Sequence, residues 1–166
     1  MAARLEPLYH AVFTTPEAWS VNLGTEGQSF LIAEGRTEGG LSARLRAANY
    51  PRRRADGVLT PDFRGVLETD DGATVLFTWH GFARPEGENG AHQLVGALTH
   101  LSNDARYSHL NDTLCTLTGE VRPRVGGAGF DVVVEVEQLV WERPTASNAD
   151  SRRAQSAARN CATASG

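Results

Sequence analysis

Between residues 5 and 142 the chain runs as short apolar or alternating stretches, broken at intervals by Gly, Pro, Asp and Asn. Strict alternation marks a strand with one buried face; a short continuous apolar run suits a strand buried on both. Eight stretches qualify: 7–14, 28–34, 40–47, 62–69, 73–83, 92–101, 114–122 and 130–142. Almost no helix lies between them, so neighbours are predicted to be antiparallel, because parallel strands need crossovers of a dozen residues or more. The one helical stretch is "SNDARYSHLND" at 102–112. Ser102 or Asn103 can cap it, and Ala105, His109 and Leu110 fall at helical spacing.

The stretch "LETDDGATVLFTWHGFAR" at 67–84 predicts a hairpin. If Asp71-Gly72 forms a two-residue type I′ turn, Glu68 faces Val75, Val66 faces Phe77 and Arg64 faces Trp79. Alternation then gathers Arg64, Val66, Glu68, Val75, Phe77 and Trp79 on one face. Phe63, Gly65, Leu67, Leu76, Thr78 and His80 take the other. Both faces are largely apolar, so the hairpin is expected to be covered on both sides or to curl around a cavity. A one-residue slip would change which residues oppose each other.

An all-β, antiparallel sheet with one short helix can hide its edges by closing into a single β-barrel, with the helix over one end. A barrel of about eight strands can hold one small ligand. A two-sheet sandwich is the alternative. The barrel domain is expected to span 1–144. Residues 145–166, small and polar with almost no large apolar side chains, are expected to be a disordered tail.

Composition narrows the chemistry. Apolar residues make up 40% and charged residues 22%, ordinary for a globular chain. All 16 basic residues are arginine, and the absence of lysine excludes Schiff-base chemistry and the phosphate loop ending in Gly-Lys-Ser/Thr. A net charge of −4 argues against nucleic acid as a partner. The cluster "PRRRADG" at 51–57 reads as a solvated loop. No apolar run is long enough to cross a bilayer, and "MAARLEPLYHAVF" lacks the order of a signal peptide, so the expectation is a cytoplasmic bacterial protein without a membrane partner. Self-association into a homo-oligomer is left open. Cys115 reads as buried packing, and with Cys161 forms neither a metal spacing nor a disulfide framework.

Four blocks carry a resemblance: "LEPLYHAVF" at 5–13, "LETDDGATV" at 67–75, "RYSHLNDTLCTLTGEV" at 106–121 and the Val-rich last strand. In this order, over about residues 5–142, the chain resembles the bacterial and fungal family known as domain of unknown function 3237. The resemblance implies an antiparallel barrel of the calycin or allene-oxide-cyclase-like kind, and it brings no settled activity. Relatives tend to have a "GGADW"-like segment where this chain reads "ANYPRRRADGV", and a Trp where it has His109.

The five histidines show no H-x-H or H-E-x-x-H spacing, and no metal or cofactor is expected. Neither a G-x-S-x-G elbow nor a dinucleotide G-x-G-x-x-G is present. His80 and His100 end strands, where one at a barrel mouth could move a proton; each is otherwise a strand-end residue partly in solvent. Arg64 and Glu68, sharing a face with Phe77 and Trp79, would orient a ligand inside the barrel or lie on its surface. Tyr107 and Asn111, four apart, could close an end and bond a ligand, or act as a structural plug.

The expectation is a barrel that binds a small hydrophobic molecule. As a cofactor-independent isomerase, cyclase or lyase it would act on a polyketide-like or aromatic substrate. His80 or His100 would be the acid/base, Arg64 the oxyanion stabiliser, and Glu68, Phe77, Trp79, Tyr107 and Asn111 the pocket. A non-catalytic binding protein, or a structural barrel with a filled core, is the alternative.

Overall fold

The computed structural model describes residues 2–127 and 129–142. The expected polar tail and Cys161 lie outside the described residues. The chain divides into a unit of Leu5–Leu139 and a chain-end unit outside it, whose described part is the start of the first strand and the end of the last.

Ten strands form: β1 (Ala2–Leu23), β2 (Glu26–Gly39), β3 (Ala43–Asn49), β4 (Arg52–Arg53), β5 (Leu59–Thr60), β6 (Asp62–Thr69), β7 (Thr74–Glu86), β8 (Ala91–Leu101), β9 (Cys115–Pro123) and β10 (Phe130–Glu142). All eight expected runs fall on strands. The ring β1–β2–β3–β6–β7–β8–β9–β10 closes because β10 is hydrogen-bonded back to β1. Closure removes the exposed edges that an open sheet would present. On its outside the His10 Nδ1 lies 2.7 Å from Glu135 Oε1, and Gln138 donates to Glu6 at 2.8 Å.

β3 and β6 are short, and beyond them the wall changes hands. Arg52 and Arg53 of β4 pair with Gln28 and Gly27 of β2, while Leu59 of β5 pairs with Ala83 of β7. At this end the circuit between β2 and β7 therefore runs through β4 and β5. Pro51 and Pro61 stand at the two changeovers. Neither can donate a ladder hydrogen bond, which is why regular pairing stops there.

Alternation sends one face of every long strand inward. Tyr9, Ala11 and Phe13 of β1 are buried, as are Leu45 of β3 and Phe63 and Leu67 of β6. Val75, Phe77 and Trp79 of β7 join them, with Leu94 and Leu98 of β8, Leu117 of β9 and Val132, Val134 and Val136 of β10. Each large side chain so buried contributes about 1.5–3 kcal/mol of transfer free energy.

The register of the β6–β7 hairpin corrects the two-residue turn. Leu67 faces Val75, Gly65 faces Phe77 and Phe63 faces Trp79. The loop has three residues, Asp70-Asp71-Gly72. The Gly72 N–H donates to Thr69 O, and the Thr69 N–H donates to Ala73 O. Gly72 takes φ 89°, which a side chain would resist; this is a type I turn closed by a glycine bulge. The one-residue shift keeps each strand's alternation but re-pairs the faces. Phe63 and Leu67 now share the interior with Val75, Phe77 and Trp79, while Arg64, Val66 and Glu68 face outward with Thr78 and His80.

The expected helix at 102–112 is a turn followed by a 3-10 helix, Ser108–Asp112, and neither Ser102 nor Asn103 caps it. Its N-cap is Tyr107, which makes no side-chain capping hydrogen bond. Ser102 instead donates its hydroxyl to Thr74 O at 2.8 Å. Leu110 is the buried residue of that turn; Ala105 and His109 are exposed.

Candidate functional site

At the β4–β5 end the barrel interior holds a cavity of about 70 Å³. That is several times the space one water needs and about half that of an engineered apolar cavity, ~150 Å³, able to take benzene. Phe13, Phe63, Trp79, Leu94 and Val132 form its inner wall, and Pro51, Leu59 and Pro61 close it from the β4–β5 side. The aromatic floor is tightly built: ring centres are 5.5 Å apart for Phe13–Phe63 and 5.2 Å for Phe63–Trp79. Deeper in, the interior shrinks to a void of about 20 Å³ bounded by Tyr9, Phe77, Leu98 and Leu117. The barrel is thus hollow at one end and packed at the other.

Three polar side chains of this wall carry chemistry. Asn49, the last residue of β3, follows Leu45 and Ala47 on the inward face and is 7% exposed. Its Oδ1 is buried with no hydrogen-bond partner among the described residues. The Trp79 Nε1 is likewise buried and unpartnered. It packs over Gly96, where a Cβ would collide with the indole nitrogen. His92, the one histidine in the cavity wall, sets Nδ1 3.1 Å from Gly90 O. A carbonyl only accepts, so Nδ1 carries a proton, and in the neutral ring Nε2 is the acceptor.

A second cluster lies in the packed half. The Tyr9 hydroxyl and His100 Nε2 are 3.0 Å apart, and His100 Nδ1 lies 3.9 Å from the Cys115 Sγ. The Tyr9 and His100 rings meet edge-on at 77°. Burial alone pushes His100 down to about 4 and Cys115 up to about 11. Burial, and then the nearby Cys115, raise Tyr9 far above the ordinary phenol range. At neutral pH all three are uncharged. Cys115 is a packing thiol, as expected, and His100, 3% exposed, is interior but outside the cavity wall.

The other expected site residues separate. Phe77 and Trp79 face inward, and Trp79 lines the cavity. His80 points outward with its side chain 61% exposed, 3.9 Å from Asp62. Arg64, 70% exposed, pairs with Asp62 at 3.1 Å. Glu68 pairs with Arg46 at 3.0 Å, also on the outer wall. None of these three reaches the interior, because the hairpin register turned them out.

Tyr107 and Asn111 sit at the packed end, opposite the cavity, where they clasp the chain. The Tyr107 hydroxyl donates to Asp71 Oδ2 at 2.9 Å. The Asn111 amide accepts from Ser102 N at 2.8 Å and donates to Ser102 O at 2.9 Å. Hydrogen bonds from Thr69 and Tyr107, with Arg106 nearby, hold the Asp71 carboxyl below its usual range. This is the plug arrangement, and it leaves Asn111 no free amide for a ligand.

Asn49 and His92 are not among the site residues expected from sequence, and 51–57 reads there as a solvated loop. The third apolar run, 40–47, stops two residues short of Asn49. Continuing the alternation Leu45-Ala47-Asn49 reaches the amide. Among the described residues no three His, Cys, Asp or Glu side chains converge as metal ligands.

No family model matches the chain, and no curated protein does. Solved structures do resemble it. A β-barrel-like protein from Acinetobacter baumannii superposes with a TM-score of 0.70 at 20% identity, over 84% of this chain and 98% of that one. A protein of unknown function from Clostridium acetobutylicum gives 0.72 at 12% identity, over 84% and 100%. An enzyme from Penicillium herquei gives 0.59 at 18%, over 82% and 96%. At these identities the likeness is one of fold, and the chain is an antiparallel β-barrel like theirs.

Proposed function

We propose that the protein, as a cytoplasmic member of the domain of unknown function 3237 family, binds the apolar end of a small uncharged molecule in the cavity at the β4–β5 end. The observation that supports this is an apolar hollow walled by Phe13, Phe63 and Trp79 in an otherwise packed barrel. An apolar cavity with few polar groups suits a ligand held by burial and oriented by those groups. His92 is the one ionisable side chain in the wall, so a ligand charge would go without a buried counter-ion.

The test uses Ala83, which is buried and lines the cavity. Ala83→Leu should fill it. Wild-type protein purified from its native host and then denatured should release a small neutral compound, identified by mass spectrometry, that Ala83→Leu does not carry. Equal recovery from both proteins, or none from either, would count against the cavity as the site.

The catalytic reading, an isomerase, cyclase or lyase acting on a polyketide-like or aromatic molecule, is favoured by His92 Nε2. It is a proton acceptor in the cavity wall, with its tautomer set by Gly90. The acid/base role expected of His80 and His100 passes to it. His92→Gln should retain the compound and abolish any conversion of it; His80→Ala should do neither.

A further inference from the structure

We infer that Asn49 is the specificity anchor of this cavity, and that the molecule bound there donates a hydroxyl to the Asn49 Oδ1. The inference rests on the cavity being a binding site and adds what the ligand must carry.

Asn49 is more than nine-tenths buried and lines the hollow, yet its Oδ1 is buried with no hydrogen-bond partner among the described residues. Three other inward polar side chains are satisfied. Thr37 donates to Leu41 O at 2.6 Å, Thr15 accepts from Phe130 N at 2.9 Å, and His100 meets Tyr9. A buried amide left unpaired costs stability, and an apolar side chain of similar size would fit the same inward position at lower cost. An amide oxygen only accepts, so its match is a donor, and a hydroxyl on an otherwise apolar molecule supplies one. Trp79 Nε1, unpaired in the same wall, adds a donor, and a hydroxyl is a group that both donates and accepts. With His92 as the sole ionisable neighbour in the wall, the ligand is uncharged where it is buried.

Two small rings of similar shape, cyclopentanol and cyclopentane, test this by titration of amide shifts in the ¹⁵N-labelled full chain. Asn49→Leu should weaken cyclopentanol about tenfold and leave cyclopentane unchanged or tighter, since a hydrogen bond to a buried polar group is lost in one case only. Without ligand, Asn49→Leu should melt above the wild type. If leucine is not accommodated, Asn49→Ala should show the same selective loss of the alcohol. Equal loss of both rings would make Asn49 merely structural and overturn the anchor while leaving the cavity as a site. No difference between wild type and variant for either ring overturns it too. Failure of both rings to bind wild-type protein would overturn the cavity reading together with the anchor.

Discussion

His100 and Asn49 are both polar residues turned into the barrel, and they differ in what they were given to bond. His100 sits between the Tyr9 hydroxyl and the Cys115 thiol, and burial holds its proton affinity down to about 4 against 6.5 for a free imidazole. The unfolded chain therefore gains a proton below pH 6.5 that the folded chain refuses until about pH 4. Stability is unaffected above that window and falls through it as the pH drops. At pH 4.5 the loss should be roughly 2–3 kcal/mol relative to neutral pH. Tyr9 and Cys115, the groups facing His100, stay protonated throughout and add nothing to the slope. Urea midpoints measured between pH 7 and pH 4.5 should show this decline. His100→Phe should flatten it while lowering stability at every pH, because the Tyr9 hydroxyl loses its partner. A wild-type midpoint independent of pH in this range would show that the imidazole is not buried neutral.

The strands themselves were legible because hydrophobic alternation is a direct image of a sheet with one wet and one dry face. Pairing between strands was not, since it depends on loop geometry that "DDG" leaves open. Asp71-Gly72 suits a two-residue turn, and Asp70-Asp71-Gly72 suits a three-residue one. Thr69 decides the matter by closing the loop with backbone and hydroxyl together, the hydroxyl accepting from Ala73 N at 2.7 Å. That single residue of difference moved Arg64, Glu68 and His80 out of the expected pocket. Close packing across β7 and β8 gives another element-level expectation. A Cβ on Gly96 would strike the Trp79 indole and the His80 carbonyl. Gly96→Ala should cost about 1–3 kcal/mol in chemical denaturation and disturb the cavity through Trp79. The β4–β5 segment, held by two residue pairs to β2 and one to β7, should be the first part of the ring to exchange its amides. Hydrogen exchange over 52–60 faster than over 94–98, where β8 pairs continuously with both β7 and β9, is the expected pattern.

At the scale of the whole molecule, closure depends on the last strand. β10 supplies Val132, Val134 and Val136 to the core and joins β9 to β1. A chain ending at residue 129 would lose those side chains and expose two unpaired edges. It should lack near-ultraviolet circular dichroism and aggregate, whereas the full chain should not. The all-β class and the barrel could be read from eight runs without helices between them. The hollow could not, because its position depends on where β3 and β6 stop and β4 and β5 take over.

That handover has a consequence for how such a protein could diversify. The stretch from Pro51 to Pro61 borders the hollow yet contributes little to the buried stack that keeps the cylinder standing. Changes of length or composition there can reshape the receptacle while the remaining staves stay as they are. One scaffold could thus be refitted for a succession of guests by exchanging eleven or so neighbouring residues, much as a lock is rekeyed without replacing the door.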